Sequence, residues 1–135
     1  MTMTGIIAIA TSCFLYERYA VAAIKKSLKK AKTRGIINQL MLDFGTNEQT
    51  ANMFWNVIRH GILHQAMPKR REYAKDLLPY WSLRSGFKQP FKLVKDINGE
   101  DCLNVEPWLF TDRVLELWRN NLELIDQNED FPWVI

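Results

Sequence analysis

Both histidines of the chain fall within five residues, in Phe54-Trp55-Asn56-Val57-Ile58-Arg59-His60-Gly61-Ile62-Leu63-His64-Gln65. Imidazole moves protons near neutral pH, and the guanidinium beside it presents a fixed cation with paired donors. Cleaving RNA by attack of a ribose 2′-OH on the adjacent phosphorus needs both kinds of group. One carries the proton; the other stabilises charge growing on the phosphoryl oxygens. That chemistry calls for no metal and no cofactor, and it makes DNA a non-substrate. Two other uses of the segment compete with it. His60 and His64 stand four apart, as zinc ligands often do, but the Glu that a metalloprotease helix carries after its first His is missing. A third ligand would have to come from Cys102 or an acidic side chain elsewhere. The histidines also suit a plain structural role on a half-apolar helix, with Gly61 admitting a neighbouring helix closely.

The pair Arg59 and His64, four residues between them, resembles the Arg-x(4–6)-His motif of the HEPN superfamily (higher eukaryotes and prokaryotes nucleotide-binding). The apolar lead-in Phe54-Trp55-x-Val57-Ile58, the polar His60 after the arginine and Gly61-Ile62-Leu63 resemble it too, as does the setting late in an internal helix. The resemblance implies a helical bundle and a metal-independent endoribonuclease, of the toxin or phage-defence kind the family often supplies. It implies RNA as partner, a homodimer whose protomers share one cleft, and in several cases an antitoxin such as a small nucleotidyltransferase-like protein. On this basis His64 is the general acid/base, Arg59 the phosphate and transition-state clamp, and His60 orients or shares the proton work. The alternative is a non-catalytic HEPN-like module that binds RNA, a nucleotide or a protein partner.

Geometry restricts how the pair can act. At about 100° per residue, Arg59 and His64 lie roughly 140° apart around a regular helix. Either the helix loosens near Gly61, or two chains assemble the site. A symmetric pair of chains would bring two of each residue together.

The elements that must position these residues follow from periodicity. Ile6, Ala10, Cys13, Phe14, Ala20, Val21, Ile24 and Leu28 recur in steps that predict an amphipathic helix over Gly5–Lys32. Glu17 falls within that stripe. It either faces inward, where a carboxylate needs a partner and Arg59 would serve, or it sits at an edge and reaches solvent. Ile36, Ile37, Leu40, Met41 and Phe44 predict a short helix between Gly35 and Gly45, and Thr46 with Gln49 reads as a capping box for the helix carrying the motif. Pro68 ends that helix. Lys69, Arg70 and Arg71 follow, suited to flanking phosphates or to a solvated turn, and Glu72–Tyr80 reads as another short helix. Asn98-Gly99 predicts a β-hairpin over Phe91–Val105. Pro107 opens a last helix, with Val114, Leu115, Trp118, Leu122 and Ile125 on its apolar face. The expectation is one mainly α domain over 1–135, a bundle of four to five helices with a hairpin inserted before the last.

Charge is distributed unevenly. The 135 residues carry a net +3, but residues 1–90 hold +9 and residues 91–135 hold −6. The basic body favours polyanions. Two cysteines make neither a disulfide framework nor a Cys-based zinc site, and phosphate-cradling glycine loops and hydrolase elbows are missing. The apolar run Thr4–Tyr16 is too short to span a bilayer and lacks the charged start of a signal peptide, so a cytoplasmic protein without a membrane partner is expected.

Overall fold

The computed structural model describes residues 3–27, 33–61, 80–83, 86 and 88–127. They form helices α1 (Met3–Lys26), α2 (Thr33–Phe44) and α3 (Glu48–Phe54), the last running on into a π-helical turn, Trp55–His60. Strands β1 (Tyr80–Leu83), β2 (Phe91–Lys95) and β3 (Asp101–Val105) follow, then α4 (Pro107–Asn120) and α5 (Leu122–Gln127). The chain is mainly helical with a small sheet.

α1 is the central post. Ile9, Cys13, Tyr16, Ala20 and Ile24 are buried along it, whereas Phe14, expected inward, is 36% exposed. Glu17 and Arg18 do not interrupt the helix. At 24 residues α1 therefore reaches a membrane-spanning length and composition, contrary to the expectation drawn from Thr4–Tyr16. More than half of its most apolar stretch is buried inside the fold, the pattern of a core helix. α4 runs parallel to it. Ser12 bonds Thr111 at 2.8 Å, the Trp118 indole donates to the Leu15 carbonyl at 2.6 Å, and Arg18 reaches the Ile125 carbonyl.

Helix ends explain two departures from the expected boundaries. Gly45, at φ +61°, takes the left-handed position after α2, and the Thr46 amide turns back to the Met41 carbonyl. Thr46 is thereby part of the α2 terminus. The cap of α3 passes to Asn47, whose Oδ1 accepts the Thr50 amide at 2.8 Å. At the other helix, Glu106 caps the amide of Leu109 and Pro107 fills the first helical position, as expected of Pro107. That last helix breaks at Asn121. Phe110, Val114, Leu117 and Ile125 face the core, while Leu115 and Leu122 turn outward.

The hairpin forms with β3 at its expected place, but its turn is longer than two residues. Asp96 Oδ1 accepts the amides of Asn98 and Glu100, and the Asp96 amide donates to the Glu100 carbonyl. Gly99, at φ +76°, supplies the left-handed residue. A third strand was not foreseen. β1 pairs in parallel with β3, giving the order β1-β3-β2, and Tyr80 belongs to this strand and not to a helix. The pairing is non-local, so no turn signal announces it. One face of the sheet, with Phe91, Leu103 and Val105, closes the core.

Asp43 ties three helices together from the end of α2. It accepts the Tyr16 hydroxyl at 2.8 Å and the Tyr19 hydroxyl at 3.3 Å from α1, and Arg113 of α4 donates to its backbone carbonyl. Burial and the adjacent carboxylate hold both phenols protonated, Tyr16 well above its ordinary value and Tyr19 up to about 12. Their protons are held more tightly in the folded chain than in the unfolded one. Their contribution is therefore complete below the ordinary tyrosine value of 10.0 and is lost as pH rises above it, through about 12 for Tyr19. Tyr16→Phe is expected to cost about 1 kcal/mol at pH 7 through the lost hydrogen bond. It should also flatten the alkaline fall in stability, as read by urea unfolding at pH 7 and pH 11.

Candidate functional site

The motif helix is buried on both flanks before it reaches Arg59. Phe54 stacks on Phe91 of β2 with centroids 4.2 Å apart, and Trp55 meets Tyr16 of α1 edge-on at 6.3 Å. Val57 and Ile58 are fully buried. In this clamped stretch the backbone widens into the π turn Trp55–His60, a rare form that recurs at functional sites. The helix thus does loosen, a turn earlier than Gly61. The π turn ends at His60, and His64 lies outside the described residues.

Glu17 faces inward and meets Arg59. Arg59 Nη2 donates to both carboxylate oxygens, each at 2.7 Å, across 42 residues of sequence. The side chains are 18% and 11% exposed, so little solvent screens the pair. The guanidinium carbon also lies 5.3 Å from the centre of the Trp55 ring, four residues back on the same helix. Carboxylate and ring together fix the plane of the guanidinium. Arg59 Nε is buried and has no hydrogen-bond partner among the described residues. An unmet buried donor of this kind costs about 1–3 kcal/mol, and in a native fold it calls for a role. The arginine is held, not exhausted.

Cys13, one turn before Glu17, is buried beside the pair. Its thiol is pushed up to about 12 by burial, with Arg59 pulling the other way and Glu17 adding to the rise. A thiol so reluctant to ionise is no nucleophile. Cys102, raised as a metal ligand, stands on the sheet with its Sγ 3.6 Å from Asn104 Oδ1.

Of the residues singled out by sequence, the structure brings Arg59 and Glu17 together. His60 closes the π turn through its backbone. Its side chain, together with His64, Lys69, Arg70 and Arg71, lies outside the described residues. Trp55 was missed as a partner of Arg59. Its signal was present, since residues four apart on a helix are neighbours.

Compared with protein-family models, with curated proteins and with solved structures, the chain matches none.

Proposed function

We propose that the chain is a metal-independent endoribonuclease of HEPN type, acting at an Arg59/His64 site shared by two protomers. The observation that carries this is the Arg59 guanidinium, held by Glu17 and Trp55 on a π turn, with a donor left unspent. An arginine aimed in this way costs little to reorganise when a phosphoryl group gains charge. The 2′-oxygen attacks phosphorus, a P–O2′ bond forms and the P–O5′ bond breaks. One strand then ends in a 2′,3′-cyclic phosphate and the other in a 5′-hydroxyl. One His64 takes the 2′-OH proton while a second gives a proton to the leaving 5′-oxygen, and a symmetric dimer supplies both imidazoles. The basic body, with Lys69, Arg70 and Arg71, draws the RNA backbone towards the cleft. Toxicity restrained by an antitoxin such as a nucleotidyltransferase-like protein fits the same reading.

A second reading has its own support. Glu17 neutralises Arg59 within the fold, as it would in a non-catalytic helical module whose ion pair only fixes packing. Purified protein in EDTA, given RNA and DNA of one sequence, separates the two. The nuclease cleaves RNA alone and leaves cyclic-phosphate ends, and sedimentation at micromolar concentration gives a dimer. Intact RNA in that assay favours the module, and a monomer that cleaves would remove the shared site.

A further inference from the structure

The sheet turns one face to the core and leaves the other uncovered by any described helix. Alternation places Leu103, Val105, Phe91 and Leu93 inward, and Ser82, Asn104 and Lys92 in a row across the outer side. A cavity of about 270 Å³ opens on that outer side, lined among the described residues by Lys88, Gln89, Lys92, Val94 and Asn104. A second, of about 220 Å³, continues past the sheet edge towards the turn between α2 and α3, where Thr46 and Asn47 line it. Gln89 and Lys92 belong to both. The two cavities adjoin at these residues and together make a groove beside β2, an edge strand of the sheet.

The chemistry of the lining is selective. Lys88 and Lys92 are exposed, and among the described residues neither is in an ion pair. The other polar side chains are the carboxamides of Asn47, Gln89 and Asn104 and the hydroxyls of Thr46 and Thr50. No described carboxylate lines either cavity, although residues 91–135 carry a net −6. The acidic groups of the hairpin lie in its turn and at Asp101, which Lys95 pairs. A cationic groove with amide donors and acceptors, built from both the basic and the acidic segments of the chain, complements a phosphodiester strand. Val94 is the described apolar side chain of the outer cavity, and no described aromatic ring lines that cavity.

We propose that this groove is a binding site for the sugar–phosphate backbone of single-stranded RNA, engaged through Lys88 and Lys92 without reading sequence. The site rests on the ribonuclease reading and deepens it. It adds a hold on the strand whose lining does not include Arg59, with Lys88 from the basic segment and Lys92 from the acidic one.

The test is fluorescence anisotropy with a labelled 2′-O-methyl oligouridylate of twelve nucleotides, which binds as RNA does but cannot be cleaved by 2′-oxygen attack. Affinity of the full chain is measured across a salt series. Loss of two phosphate contacts in Lys88→Ala/Lys92→Ala should lower the log–log salt slope by about 1.4 and weaken binding roughly tenfold or more at low salt. Arg119→Ala, which removes one exposed charge from α4, should leave the slope unchanged. Amide resonances of residues 88, 89, 91–94 and 104 should shift when the wild-type chain is titrated. A wild type that binds RNA while the double variant loses no more than Arg119→Ala overturns the groove and leaves the ribonuclease reading standing. A wild type with no affinity for the oligonucleotide overturns the groove through the reading beneath it.

Discussion

Arg59→Ala is expected to destabilise the fold by about 3 kcal/mol and to lower RNA cleavage by at least about a hundredfold. The stability loss follows from burial. Removing the guanidinium leaves the Glu17 carboxylate, 11% exposed on its side chain, with neither of its two 2.7 Å bonds. A buried ion pair adds little compared with an apolar pair of the same shape, but half of one is costly. The double-mutant cycle separates these effects. Glu17→Ala and Arg59→Ala should each cost several times what an exposed salt bridge does, and the double variant should be more stable than the sum of the two losses. Urea unfolding reads the cycle, and strict additivity would mean the pair contributes nothing to the fold. Arg59→Lys divides folding from chemistry. Lysine keeps the charge against Glu17, yet loses the planar fork that lies beside Trp55 and that the proposed phosphate contact requires. It should fold nearly as well as the wild type and cleave about as poorly as the alanine variant.

Phe91→Ala should cost about 3 kcal/mol and loosen the motif turn without touching it. Phe91 is 5% exposed, stacks on Phe54 at 4.2 Å and also packs against Phe44 at 5.2 Å. Phe54 immediately precedes the π turn, so the hairpin braces the turn from the side opposite α1. That gives the hairpin a purpose which its turn sequence does not disclose. Amide hydrogen exchange over residues 55–60 should accelerate in Phe91→Ala more than exchange over α4. Equal acceleration everywhere would mean that the ring stabilises the whole fold and not this turn in particular. Phe91→Leu, which keeps most of the volume, should recover the greater part of the loss.

Much of this architecture was legible because it is local. The α1 stripe, the Pro107 start and the β3 strand each rest on a pattern of a few residues. The most informative single position was Glu17, a carboxylate in an apolar stripe. Such a residue must either find a cation or reach solvent, and the sequence held one candidate in Arg59. What stayed hidden depends on long-range contact. β1 pairs with a strand some twenty residues away, Asp43 gathers hydroxyls from another helix, and the π turn arises where the helix is gripped by Tyr16 on one side and Phe91 on the other. The cap of α3 failed for a local reason of its own, since one threonine cannot serve the end of α2 and the start of α3 together.

The charge division also gains a spatial meaning. The +9 of residues 1–90 includes Arg59 and the lysine-rich end of α1, while the −6 of residues 91–135 conceals Lys92 on the outer face of the sheet. Lys88 joins it from the preceding segment, so the groove draws on both halves of the division.

The proposed cleavage of RNA by Arg59 and His64 needs no metal. It is tested most directly by the cleavage rate in EDTA of the wild type and of His64→Ala, each shown by circular dichroism and sedimentation to be folded and in the same oligomeric state. Wild-type cleavage should leave 2′,3′-cyclic phosphate ends, with a loss of about a hundredfold or more in the variant. Cleavage that survives intact in His64→Ala would contradict it.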